Sequence, residues 1–218
     1  MLKGVIFDMD GLMIDTEKLL TRFWCEAANH YGYPMTKEHV LGIRSLAAKY
    51  AIPHLKGIFG EDFDYYKVRG KRIELMNEFI RQNGIEKKQG LDELLDYLDS
   101  TGLKKAVATA TDLQRTTLYL SSINIIDRFD KLICGNMIEN GKPAPDIYLA
   151  AAKELELDPS ECIALEDSPN GIRSAHTAGC KPVMIPDLSQ PDEETKKLLY
   201  ACCDDLSNVI GVIQKLLR

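Results

Sequence analysis

The sequence predicts an α/β fold: a Rossmann-like parallel sheet core with an inserted all-helical cap domain. Two observations carry this. Short apolar, β-branched runs alternate with helical segments in the second half of the chain, and strands joined by crossover helices pack as a parallel sheet covered on both faces. The first such run is followed by a long stretch of helical periodicity in place of one crossover helix. The expected division is an α/β core from residues 1–16 and 87–218, with a helical cap at 17–86.

Taken in order, KGVIF ending at Phe7 has the texture of a fully buried strand. It stops at the acidic, glycine-containing DMDG of Asp8 to Gly11. From Thr16 to Asn83 the spacing is helical, with Leu19, Leu20, Phe23, Trp24 and Ala27 recurring at threes and fours. Tyr31–Pro34 ends a first helix, Pro53 and Gly57–Gly60 punctuate the middle, and a last helix covers about Tyr65 to Gln82. After Gly90, strands are expected at Lys104–Thr109, Lys131–Cys134, Cys162–Leu165 and Pro182–Ile185. Helices are expected at about Leu91–Ser100, Leu113–Ile123, Pro145–Leu155 and Asn170–Ala178. No element is assigned beyond Ile185.

Composition narrows the function. With 45% hydrophobic and 28% charged residues, the chain is not collagen-like, coiled-coil or broadly disordered. A net charge of -6 argues against nucleic acid or an anionic membrane as the main partner. The charge is uneven: residues 17–85 hold 11 basic against 8 acidic side chains, a balance that suits a lid closing over an anion. No apolar run approaches a membrane span of about 20 residues. Nothing at the N-terminus reads as a signal peptide. The six cysteines form no C-x-x-C and no zinc spacing, so buried, reduced thiols in a cytoplasmic protein are expected.

In open α/β sheets, ligands bind beyond the carboxyl ends of the strands. The polar residues there are Asp8 and Asp10, Thr109 and Thr111, and Glu166 and Asp167, with Lys142 in the GKPAPD loop. Four crowded carboxylates need a cation among them, and an all-oxygen set suits Mg²⁺ and not zinc. Magnesium, a lysine and hydroxyl or amide donors together fit a phosphate, the equipment of phosphoryl transfer.

These motifs resemble those of the haloacid dehalogenase-like hydrolase superfamily, in its β-phosphoglucomutase-like phosphatase subgroup. DMDGLMID, Thr109, GKPAPDIY and EDSPNGI stand in the family's order, over essentially the whole chain. The resemblance implies that Asp8 is the nucleophile and that Asp10 is the general acid/base, its backbone carbonyl also a metal ligand. It implies that Thr109 and the Ala110 amide bind phosphate, that Lys142 neutralises Asp8 and the phosphate, and that Glu166 and Asp167 complete the Mg²⁺ site. Asp15 is read as structural, near the cap hinge. Arg44, in a cap loop similar to one that faces the family's active site, is a substrate-binding candidate. Arg72 is expected on a solvated helix face. The Lys142–Pro143 bond is a candidate cis peptide.

The expected activity is Mg²⁺-dependent hydrolysis of a small phosphorylated metabolite, a sugar or polyol phosphate, by a monomer. The alternative is a sugar phosphate mutase. β-Phosphoglucomutases carry a histidine five residues after the position of Asp15, where this chain has Leu20, and their cap-loop arginine is offset by one residue from Arg44. A receiver-type signalling module would be shorter and lack the helical insert. A dehalogenase would lack the acid at Asp10, and a non-catalytic scaffold would not keep every catalytic position.

Overall fold

The computed structural model describes residues 1–44 and 46–218. Ser45, the last residue of the cap loop Gly42–Ser45, lies outside the described residues. The chain runs β1 (Gly4–Phe7), α1 (Glu17–His30), α2 (Lys37–Gly42), α3 (Ala48–Phe59), α4 (Tyr65–Asn83), α5 (Leu91–Asp99) and β2 (Lys104–Thr109). It continues α6 (Leu113–Ser122), β3 (Lys131–Cys134), α7 (Asp146–Glu154), β4 (Cys162–Glu166) and α8 (Pro169–Thr177). Last come β5 (Lys181–Met184), α9 (Glu193–Leu198), β6 (Ala201–Cys202) and α10 (Val209–Leu217).

Every strand pair is parallel, in the order β3-β2-β1-β4-β5-β6. Side chains alternate across this sheet because a strand has a period of two. Val5, Phe7, Val107, Ile163, Leu165 and Val183 join one apolar cluster, with leucines of α5, Tyr119 and Leu120 of α6, and Val209 and Ile213 of α10. Ile6, Ala106, Ala108, Ile133, Cys162 and Ala164 join the cluster on the other face, against α7 and α8. Continuous apolar runs in the sequence are what such double burial requires. β1 lies between β2 and β4, so later strands are laid down to either side of it. That is the topological switch point where such sheets open a ligand crevice.

Four helices, α1 to α4, fill the stretch between β1 and α5, and no strand forms there among the described residues. They carry their own apolar cluster, with Trp24, Met35, Leu55, Phe63 and Val68 buried in it. The chain leaves and re-enters the core side by side: Ile14 bridges Lys87, and the Asp15 amide donates to the Glu86 carbonyl at 2.9 Å.

Three features differ from the sequence expectation. Pro53 and Gly57 do not break the middle of the cap; both lie inside α3, whose Ala51 and Leu55 are buried on the cap cluster. Tertiary burial there overrides the local cost of proline. The sheet gains β6, and two helices follow β5; β6 is only two residues long, too short for any pattern. The thiols are not all buried, since Cys202 is exposed and Cys25 half-buried.

Candidate active site

The ends of β1, β2 and β4 and the loop before α7 bring the polar residues together. Asp8 follows β1 directly and is buried, its amide donating to the Leu165 carbonyl at 3.0 Å. The Lys142 ammonium, also buried, lies 2.5 Å from Asp8 Oδ1 and 2.6 Å from Glu166 Oε1, and donates to the Ala108 carbonyl at 3.1 Å. Three acceptors thus surround its three donors. The Lys142–Pro143 bond is cis, as expected.

Glu166 is held by more than the lysine. Tyr148 donates to its Oε1 at 2.6 Å and Ser168 to its Oε2 at 3.2 Å. Gly171, in the first turn of α8, packs against the same carboxyl group: a Cβ there would lie 1.9 Å from the Glu166 carboxyl carbon. Gly11 answers a similar demand beside Asp167. Its φ is +82°, and a Cβ would lie 2.2 Å from Asp167 Oδ2.

Asp10 is half-buried, with both carboxylate oxygens bound by hydroxyls. Thr16 donates to Oδ1 at 2.6 Å and Thr111 to Oδ2 at 2.7 Å. Thr109 is buried at the end of β2, and its hydroxyl oxygen accepts from the Thr111 amide at 3.1 Å. Ala110 lies beside it on the wall of a cavity of about 430 Å³, which Asp8, Asp10, Thr109 and Lys142 also line.

The electrostatics follow from burial. Desolvation pushes the Asp8 carboxyl well up, Lys142 opposes the shift, and Glu166 and Asp167 reinforce it. Burial works against the Lys142 charge, but Asp8 and Glu166 outweigh it and hold the ammonium above its ordinary range. Burial also pushes Asp167 up, against the pull of Arg44. Such a group of acids is short of positive charge. Carboxylate oxygens of Asp8, Glu166 and Asp167 lie within 4.8 Å of one another, and Asp167 Oδ1 is buried without a hydrogen-bond partner. Hard oxygen donors in this number could hold a divalent cation.

Two cap arginines are placed differently from each other. Arg44 reaches the core: its guanidinium bonds the Asp167 carboxylate and, at 2.7 Å, the Asp167 carbonyl, and it also donates to Ser189 Oγ at 2.9 Å. Glu17 lies 3.6 Å from its Nε. Arg72 is not on a solvated face. It is buried and lines the cavity, because the face of α4 that carries it also carries Val68 and Met76 into the interior. Sequence reasoning missed Glu17, Tyr148 and Thr16 as parts of the site. Glu17 sits in a helix's first turn, where an acid has an ordinary explanation, and Tyr148 stands one helix away from the motif it supports.

A family model described as haloacid dehalogenase-like hydrolase matches residues 5–185. The chain is 29% identical over 182 residues to "Phosphorylated carbohydrates phosphatase" of Thermotoga maritima, covering 84% of both chains. It is 32% identical over 200 residues to "Probable pseudouridine-5'-phosphatase" of Drosophila melanogaster, covering 87% of this chain and 84% of that one. Among solved structures, a hydrolase from Pseudomonas syringae superposes with a TM-score of 0.86 at 21% identity, covering 98% of each chain, a likeness of fold.

Proposed function

The chain belongs to the haloacid dehalogenase-like hydrolase family, and from that premise we propose that it is a Mg²⁺-dependent phosphohydrolase acting on a small phosphorylated sugar or polyol. The observation that carries this reading is Lys142 bound to both Asp8 and Glu166 at the mouth of β1. The relatives named as phosphatases of phosphorylated carbohydrates and of a nucleoside phosphate support the substrate class.

In this reading an Asp8 carboxylate oxygen attacks phosphorus and the phosphorus–ester oxygen bond breaks. Asp10 gives its proton to the departing alcohol. Water then attacks the phosphorus of the aspartyl phosphate, Asp10 takes the water's proton, and inorganic phosphate leaves with Asp8 restored. Thr109 and the Ala110 amide bind phosphoryl oxygens, and Lys142 offsets their charge. Asp8, the Asp10 carbonyl and Asp167 would hold Mg²⁺, with Glu166 at or just outside its shell. Bound there, the ion would neutralise phosphoryl charge. Arg44 enters as the cation that the cap, residues 17–86, brings to the core's carboxylates.

The mutase reading receives less support. Leu20 lines the cavity and has no proton to give or take. The test is phosphate release from p-nitrophenyl phosphate with Mg²⁺, lost in Asp8→Asn, beside a sugar phosphate screen and a coupled assay for β-glucose 1-phosphate conversion to glucose 6-phosphate. No hydrolysis by the wild type would overturn the proposal, and isomerisation far faster than phosphate release would replace it with the mutase.

A further inference from the structure

Cap helix α4 and core helix α6 bring Arg69, Arg72 and Arg115 to the cavity that Asp8 lines. Arg115 is answered locally, its Nε donating to Asp112 Oδ2 at 2.7 Å. Arg69 is half-buried and forms no ion pair among the described residues. Arg72 is 5% exposed, and its Nε is buried with no hydrogen-bond partner. The groups against it are the Met76 sulfur, 3.9 Å from a terminal nitrogen, and the face of Trp24, 5.3 Å from the guanidinium carbon. A ring face attracts a cation, but it leaves the in-plane N–H donors unanswered. Burial, then Arg115 and Arg69, depress the Arg72 pKa to about 10, so the group is still charged near neutral pH. A buried cation without a carboxylate, beside two more of its own sign, runs against the rule that buried charges are paired.

We infer that Arg72, with Arg69 and Arg115, receives a second anionic group of the substrate, a phosphate or carboxylate separate from the phosphoryl group that meets Asp8. The inference rests on the phosphatase reading and narrows its substrate class to metabolites with two anionic groups. A planar guanidinium pairs two donors with two oxygens of either anion. The two roles divide between the parts of the chain: β1, β2, β4 and the Lys142 loop take the reacting phosphoryl, while α4 and α6 take the other group. The Trp24 ring, with the Arg72 guanidinium carbon over it, supports the cation from the cap side.

Two matched pairs test this: fructose 6-phosphate against fructose 1,6-bisphosphate, and glucose 6-phosphate against 6-phosphogluconate, with p-nitrophenyl phosphate as reference. The wild type should show a KM at least about tenfold lower for the doubly anionic member of one pair or both. Which pair responds tells a second phosphate from a carboxylate. Arg72→Gln should bring that ratio close to one, and Arg72→Lys should keep part of it. Equal KM values within both pairs, with all substrates hydrolysed, overturn the inference and leave the phosphatase reading standing. No phosphate release from any substrate, the reference included, overturns both. A preference that survives in folded Arg72→Gln overturns the assignment. Should that variant not fold, Arg115→Gln takes its place, and an unchanged ratio there overturns the arginine site.

Discussion

Thr111 donates its hydroxyl proton to Asp10 Oδ2 at 2.7 Å, tying the segment after β2 to the segment after β1 across 101 residues of chain. With Thr16 on the other oxygen, the carboxylate is fixed in plane before any substrate arrives. In the proposed mechanism this carboxylate serves as acid and then as base, and such a role gains from fixed orientation. Thr111→Val keeps the shape and removes the donor. It should lower kcat about tenfold with little change in KM, and Thr111→Ser should restore most of the rate. Loss of activity in the serine variant equal to that in the valine variant would remove the hydroxyl from the argument.

Gly171 and Gly211 both lie in helices but face different surroundings. A Cβ at Gly171 would strike the Glu166 carboxyl group, whereas at Gly211 it would meet nothing within 4 Å. Gly171→Ala should therefore cost about 1–3 kcal/mol and lower activity, because the displaced Glu166 would release Lys142. Gly211→Ala, at an exposed position of α10, should stabilise by about 0.5–1 kcal/mol. Urea unfolding of both variants checks this, and shifts of the same sign in the two would contradict the packing described.

How far the sequence could be read follows from the same contacts. The strands β1 to β5 were legible because both faces of the sheet are covered, which leaves uninterrupted apolar runs. Asp8, Thr109 and Asp167 were legible because they stand at or beside the ends of such runs. Arg72 was not, because helical spacing places it on a face without saying what lies opposite: Trp24 of α1 and, more than 40 residues away, Arg115 of α6. Tyr148 and Glu17 were hidden for the same reason: each acts on a group distant in sequence. α3 was obscured by Pro53, a local signal that burial of Leu55 overrides.

Glu17 links stability to pH. Burial raises its pKa from 4.5 to about 8, against the opposing pull of Arg44. The folded state therefore keeps a proton that the unfolded chain releases once pH passes 4.5. Between about 4.5 and 8 the folded state binds more protons, so this group makes stability fall as pH rises, by up to about 1.4 kcal/mol per pH unit. Glu17→Gln cannot ionise and should flatten that fall. Urea unfolding at pH 5, 6.5 and 8 compares the two proteins; parallel pH profiles would show that Glu17 is not held neutral in the fold.

The cysteines give a simpler readout. Burial pushes the Cys180 thiol up to about 12 and the Cys162 thiol up to about 11, while Cys202 is exposed. Since the thiolate is the reactive form, iodoacetamide at pH 8 should label Cys202 first and leave Cys162 and Cys180 until the chain unfolds. Peptide mapping after brief labelling measures the order. Early modification of Cys180 in the folded protein would mean that β5 and α8 open readily.

The two carboxylates after β4 should respond differently to magnesium. Glu166 already meets Lys142, Tyr148 and Ser168, whereas Asp167 Oδ1 has no partner. A carboxylate with both oxygens already engaged has less to offer a cation than one with an oxygen left free, since Arg44 meets only Oδ2 of Asp167. A ligand that binds only the folded chain stabilises it by about 2.7 kcal/mol at one hundred times its Kd. The increment between excess Mg²⁺ and excess chelator, measured for each protein against its own baseline, isolates binding from any direct effect of the substitution on the fold. Asp167→Asn should lose most of that increment. Glu166→Gln should keep the larger part, while its activity falls because Lys142 loses one of its two anionic partners. An equal loss of the increment in the two variants would place Glu166 in contact with the ion and abolish the ranking.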